Sequence, residues 1–160
     1  MFIQIFSVGG TLDKVYFDAL SEYQIGEPVA AELLEQGRVG FEYAVESLLK
    51  KDSLELTDED RQLIRERVGR CPADRILITH GTDTMTVTAA ALADVQDKVI
   101  VLTGAMQPAR FRDSDAPFNL GLAAGALNCC QPGVWIAMSG RVFAADGVRK
   151  NRIAGRFEAG

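Results

Sequence analysis

One histidine and three cysteines are all that this 160-residue chain offers of the softer ligating and nucleophilic side chains. The cysteines are Cys71 and the neighbours Cys129 and Cys130, a spacing that matches no metal site, and only His80 could assist them. This argues against a metal centre, a disulfide framework and a Cys–His nucleophile pair, and makes a reducing cytoplasm the expected setting. No basic run offers phosphates a landing site and the net charge is −5, so no nucleic-acid partner is expected. No apolar run approaches the length of a membrane span. The apolar start, Met1 to Phe6, is short, lacks a basic flank and runs into Gly9-Gly10, so it reads as a first strand rather than an export signal. Repeats, low-complexity segments and internal linkers are missing too.

What remains has the composition of one globular domain: 48% hydrophobic and 24% charged residues, enough to bury a core. The stretch Ile76-Leu-Ile-Thr-His-Gly-Thr-Asp-Thr-Met85 organises it. A β-favouring run enters a His-Gly turn, and two hydroxyls flank a carboxylate where a helical pattern begins.

Phe2 to Val8 reads as a buried parallel strand ending at Gly9-Gly10-Thr11. From Asp13 to Glu27 neither a helical nor a strand period holds. The segment carries Tyr16, Phe17, Asp18, Ser21, Glu22 and Tyr23, and its length predicts a lid or binding loop. Pro28 opens a short helix through Gln36. Arg38 to Leu48 alternates, with Val39, Phe41, Tyr43 and Val45 on one face of a strand. Asp52 and Ser53 lie in a loop. Thr57 with Asp60 then starts a helix that buries Leu63, Ile64 and Val68 and stops at Gly69. Strand Ile76–Thr79 is followed by a helix over 84–95, and strand 98–102 ends in Thr103-Gly104-Ala105-Met106. Asp115 caps and Pro117 opens a helix through Cys130. Gly133–Met138 is a strand with a short partner at Val142–Ala144, and the Arg-rich tail from Gly147 reads as a solvated loop. Strands alternating with helices predict an α/β fold of three layers, a mainly parallel sheet with helices on both faces. Ligands bind such sheets beyond the carboxyl ends of the strands, where Thr11, the Tyr16–Tyr23 loop, Ser53, Thr82, Asp83 and Thr103-Gly104 are expected to converge.

Phosphate cradling is disfavoured: Gly9-Gly10-Thr11 lacks both G-x-G-x-x-G and the G-x-x-x-x-G-K-[ST] loop, and no helix follows at once. A threonine nucleophile needs a base nearby. A Ser-His-Asp arrangement would need a motif such as G-x-S-x-G, which the chain lacks, and a lone histidine at a strand end is more often structural. A lysine can serve where burial brings its pKa from ~10.4 towards roughly 7–8. A carboxylate beside such a lysine orients it and opposes part of that shift. Lys150 is the best-placed candidate, although spacing alone does not bring it to Asp83.

Phe6-Ser-Val-Gly-Gly-Thr-Leu12 and Ile78-Thr-His-Gly-Thr-Asp-Thr-Met85 resemble the two signature segments of the bacterial L-asparaginase family. Leu102 to Pro108, Asp115 to Leu120 and Val148-Arg-Lys-Asn151 resemble further family segments, in order along nearly the whole chain. The resemblance implies a Rossmann/flavodoxin-like α/β domain over residues 1–160, and hydrolysis of L-asparagine to L-aspartate and ammonia without metal or cofactor. It makes Thr11 the acylated nucleophile. Thr82, Asp83 and Lys150 match the second triad, Thr82 as an alternative or assisting nucleophile and Asp83 on the substrate amino group. Ser53 matches the residue holding the substrate α-carboxylate, and Gly10, Gly81 and Ala105 fall among its substrate contacts. Of two candidate lid tyrosines, Tyr23 fits the family spacing and is preferred over Tyr16, which lies nearer Thr11. A homo-oligomer, dimer or tetramer, is also implied.

Two departures stand out. Leu54 occupies the place of a polar residue after the serine, and the chain stops at Gly160, where the family's smaller C-terminal domain would follow. The expectation is a short form with that domain absent, weak affinity and modest discrimination against glutamine. Asn151 and the arginines of the tail are expected to help fill the gap. The alternatives are an amino-acid-binding or sensory module without turnover, and an amidase for glutamine or another derivatised amide.

Overall fold

The computed structural model describes residues 1–17 and 22–160. Asp18 and Ser21 of the expected lid loop lie outside the described residues. Six strands form one sheet in the order β4 (Glu42–Lys51), β1 (Phe2–Gly9), β5 (Arg75–Thr79), β6 (Val99–Thr103), β7 (Gly133–Met138), β8 (Arg141–Ala144). The first five run parallel, and β8 returns antiparallel to β7. That return is a two-residue turn in which Ser139 (φ 55) and Gly140 (φ 76) are both left-handed, the geometry that suits a tight hairpin.

Both faces of the central strands are covered, which is why they read as unbroken apolar runs. Ile3, Ile5, Leu77, Val99, Val101 and Ala137 point to one side, against α1 (Ala30–Gln36) and α4 (Ala116–Cys129). Phe6, Val8, Ile76, Ile78, Ile100, Leu102, Ile136 and Met138 point to the other, against α2 (Asp58–Arg70) and α3 (Met85–Ala91). The expected three-layer α/β architecture is the one observed.

Several boundaries differ from the sequence reading. The strand expected from Arg38 begins at Glu42, because Arg38 (φ 49) and Val39 still bond back into the last turn of α1. Val39, Phe41, Tyr43 and Val45 nevertheless share a core face as expected. Helix α2 carries the expected Thr57–Asp60 capping box but passes through Gly69 and stops at Cys71. Pro72 disfavours helical backbone at the residue before it, and that, rather than glycine, ends the helix. Leu63, expected inside, is exposed, and Arg61 is buried in its stead. Helix α3 ends at Ala91 instead of running to Val95; beyond it the chain continues in tighter turns, with Ala93 N–H donating to Ala90 O and Val95 N–H to Leu92 O.

Two segments expected to be structureless are hairpins. Strands β2 (Lys14–Phe17) and β3 (Glu22–Ile25) pair antiparallel, with Tyr16 opposite Tyr23. In the tail, β9 (Val148–Asn151) pairs with β10 (Arg156–Ala159), and Phe157 from it enters the main core. That anchor holds β9 against the body of the domain.

Candidate active site

The carboxyl ends of β1, β4, β5 and β6 meet in a knot of glycine contacts. Gly10 has φ +88, and a Cβ built on it would lie 2.4 Å from Gly81 Cα and 2.4 Å from Gly81 N. A Cβ on Gly81 would lie 2.7 Å from Ser53 Cβ and 2.8 Å from Ser53 Oγ, and one on Gly104 would lie 2.3 Å from His80 O. Only glycine permits these approaches. The residue before Thr11 is thus pressed on the residue before Thr82, and that residue on Ser53. Gly10 N–H also donates to Lys51 O at 3.0 Å, and His80 N–H to Thr103 O at 2.9 Å.

Thr11 begins a short 3-10 turn, Thr11–Asp13, that ends in a buried carboxylate. Asp13 accepts from Ser7 Oγ at 2.9 Å and from Val29 N–H at 2.9 Å, which ties the turn to β1 and to the start of α1. Burial raises its pKa above the ordinary carboxylate value, against the lowering effect of those two bonds. Sequence reasoning passed over Asp13. The available signal was a carboxylate two residues beyond the hydroxyl, with Ser7 inside an apolar strand.

Lys150 comes from β9. Its Nζ donates to Thr82 Oγ1 at 2.7 Å and to Asp83 Oδ1 at 2.9 Å. Thr82 is buried, and the Lys150 and Asp83 side chains are 16% and 31% exposed, so this ion pair is screened less than a surface one. Arg152 adds a second cation, with Nε 3.4 Å from Asp83 Oδ1. Asn151 serves the hairpin instead, donating to Glu158 Oε1 and accepting from Ala154 N–H.

Ser53 is buried at the end of β4, inside a 3-10 turn started by Asp52. Burial pushes the Asp52 pKa up, but the Leu54 N–H and Lys14, at 3.1 Å, outweigh it and hold the carboxyl below its usual range. Leu54 is 67% exposed. The Ala105 side chain is enclosed with Leu12, Val29 and Ala116, so a ligand would meet Ala105 through its backbone. Tyr16 and Tyr23 stand on one face of the β2–β3 hairpin as a cross-strand pair, ring centroids 5.5 Å apart and both about half exposed. Tyr23 also lies 6.0 Å from Phe111.

His80 is structural. It is fully buried, and Nδ1 lies 2.7 Å from Gly81 O, an oxygen that only accepts, so Nδ1 carries the proton. Nε2 therefore accepts from Thr88 Oγ1 at 2.7 Å. Burial lowers its pKa to about 4, which keeps the imidazole neutral. Asp115, expected to cap α4, makes no side-chain cap there. Its carboxylate accepts from Met106 N–H and Gln107 N–H and from Asn119 Nδ2 at 2.8 Å, while Asn119 also donates to Gly104 O at 3.1 Å. Among the described residues no cluster of His, Cys, Asp and Glu could hold a metal ion, and no helix is long and apolar enough to cross a membrane.

The family profile described as asparaginase, N-terminal, matches residues 2–158. The chain belongs to the asparaginase family. The glutaminase-asparaginase of Acinetobacter glutaminasificans is 35% identical over 119 residues, 71% of this chain and 35% of the relative. The solved thermostable L-asparaginase from Thermococcus kodakarensis superposes with a TM-score of 0.86 at 26% identity, covering 99% of this chain and 51% of that one. The probable cytoplasmic L-asparaginase from Campylobacter jejuni does so with a TM-score of 0.82 at 28% identity, again over 99% and 51%. The chain therefore spans about half the length of these solved asparaginases.

Proposed function

We propose that this domain hydrolyses L-asparagine to L-aspartate and ammonia through an acyl-threonine intermediate. The observation that carries the reading is the Lys150–Thr82–Asp83 cluster, joined to the Thr11 turn through the Gly10–Gly81 contact. Thr11 Oγ attacks the side-chain amide carbon. The tetrahedral oxyanion is stabilised by backbone N–H groups near Thr11 and Thr82, ammonia leaves, and water releases aspartate. Lys150 with Thr82 relays protons, Asp83 meets the substrate amino group, Ser53 holds the α-carboxylate, and Tyr23, alternatively Tyr16, closes over Thr11. General acid–base help of this kind contributes about 10²–10⁴ in rate, and oxyanion stabilisation is often the larger effect.

Leu54 presents no polar atom to the substrate backbone, so the reading includes weak affinity and modest discrimination against glutamine. Self-association, as a dimer or tetramer, belongs to the proposal through the family. Cytoplasmic residence belongs to it as well, supported by three cysteines that form no disulfide. Ammonia release from L-asparagine, compared between the wild type and Thr11→Ala, tests the reading. Equal slow release from both would leave an amino-acid-binding module, and saturation at micromolar asparagine would overturn the affinity claim.

A further inference from the structure

Arg61 is a cation where the helix pattern calls for an apolar side chain. It projects inward from α2, 8% exposed, and its Nε is buried without a hydrogen-bond partner among the described residues. Among the described residues the carboxylate within ion-pair distance, Asp58 at 3.6 Å, has a 99% exposed side chain and screens it little. Burying a guanidinium so incompletely paired is costly, and a Leu or Met would fill the space with less penalty. The contacts it does make are specific. Nη1 donates to Leu56 O at 3.1 Å and Nη2 to Thr84 Oγ1 at 3.2 Å. Thr84 Oγ1 in turn lies 2.7 Å from Ser53 O.

The direction of this relay is fixed by valence. Ser53 O only accepts, so the single hydroxyl proton of Thr84 points to it, and the hydroxyl oxygen receives the Arg61 N–H. A charged donor behind a hydroxyl polarises it and strengthens the bond it donates. From Thr84 onward the relay joins two segments that carry candidate site residues. Ser53 follows β4, and Thr84 closes the Thr82–Asp83 turn. Gly81 also lies close against Ser53, an approach that sets a distance but no direction.

We propose that Arg61 and Thr84 are a positioning pair that holds the Ser53 loop in register with the Thr82–Asp83 turn, and so sets the grip on the substrate α-carboxylate. The proposal rests on the asparagine-hydrolysis reading above, through the role of Ser53. The pair touches neither substrate nor reacting atoms.

The test uses Thr84→Val, which removes the hydroxyl at nearly constant volume, Thr84→Ser, which keeps it, Arg61→Met and the double variant Arg61→Met/Thr84→Val. Each is assayed with L-asparagine and with L-aspartic acid diamide, which has the same side-chain amide and α-ammonium group but an uncharged α-amide. Thr84→Val is expected to raise KM for asparagine about tenfold, the worth of one well-placed hydrogen bond, with kcat within about twofold. KM for the diamide stays unchanged, Thr84→Ser behaves as wild type, and the double variant is no worse than either single one, because all break one relay. Equal KM changes for both amides, a fall in kcat alone, a Thr84→Ser as impaired as Thr84→Val, or additive effects would each overturn the proposal. Should Thr84→Val not fold, Arg61→Lys against Arg61→Met carries the same comparison, with partial retention expected for lysine. A wild type with no Thr11-dependent turnover would sink the underlying reading and this proposal with it. Unchanged KM in an active Thr84→Val sinks the proposal alone.

Discussion

Lys150 and Thr82 stand 68 positions apart in the chain, yet Lys150 Nζ donates to Thr82 Oγ1 at 2.7 Å. The partnership depends on Phe157, whose burial pins the β9–β10 hairpin to the core. Lys150→Met keeps much of the aliphatic stem while removing the amine. It is expected to lower kcat by about 10²–10⁴ while shifting the urea midpoint little, since Arg152 still faces Asp83. Lys150→Arg should not restore the rate, because a guanidinium stays protonated and cannot take a proton. A Lys150→Arg variant working near the wild-type rate would show that only positive charge is needed there.

His80 predicts an acid-sensitive fold. Its folded pKa, lowered to about 4, lies below the 6.5 of the exposed group. It therefore contributes stability above pH 6.5 that is lost as pH falls towards 4, because the unfolded chain takes up the proton first. At about 1.4 kcal/mol per unit, its share of the loss between pH 7 and 5 is roughly 2 kcal/mol. Asp13 works in the opposite sense: its raised pKa relieves a folding penalty as pH falls. Comparing urea midpoints of wild type and His80→Gln at both pH values cancels the Asp13 share. The variant is expected to be weaker at pH 7 but to lose about 2 kcal/mol less on acidification. Parallel losses in the two proteins would mean His80 is protonated in the fold.

Much of this architecture was legible because burial leaves a pattern. Strands β1, β5, β6 and β7 are enclosed on both faces and read as apolar runs. Hairpin β2–β3 was not legible: Glu22, Tyr23 and Gln24 all remain exposed, so no alternation marks a buried side. Thr11, Ser53, Thr82 and Asp83 could be placed at strand ends because the parallel sheet dictates where those ends lie. Lys150 could be nominated by resemblance, but its arrival depends on a tail hairpin that carries one buried anchor. Arg61 was hidden for the converse reason. A charged residue in a helix pattern is normally assigned to water, and nothing local marks Thr84 as its partner.

The glycine contacts predict an order of damage. At Gly10 a Cβ would meet backbone atoms of Gly81 at 2.4 Å, and φ is +88, so neither neighbour nor torsion can yield cheaply. Gly10→Ala combines overpacking with backbone strain and should cost roughly 3 kcal/mol or more. Gly81→Ala meets Ser53 Cβ and Oγ at 2.7 and 2.8 Å and Ser53 N at 3.0 Å, but at a backbone torsion that an L residue can adopt. Its stability cost should be smaller, about 1–3 kcal/mol, with a raised KM as Ser53 is displaced. Thermal or urea unfolding of the two variants reveals the order; a less damaging Gly10→Ala would mean the strand ends are looser than their packing implies.

Asp115 separates a helix cap from a loop clamp. Were it a cap, as its place before Ala116-Pro117 suggests, Asp115→Ser would preserve the fold, since serine is among the best N-cap residues. Its carboxylate instead gathers Met106 N–H, Gln107 N–H and Asn119 Nδ2, and through Asn119 the Gly104 carbonyl. The shorter serine hydroxyl cannot accept from all three donors. Asp115→Ser and Asp115→Ala are therefore expected to lose about the same, roughly 2–3 kcal/mol for bonds to a charged acceptor. Asp115→Asn, isosteric and still presenting one carbonyl oxygen, should lose about half of that. Since the loop it clamps runs from Gly104 through Ala105, all three should also raise KM for asparagine, in the same order as their loss of stability. A serine variant as stable as wild type would return Asp115 to the role of a cap.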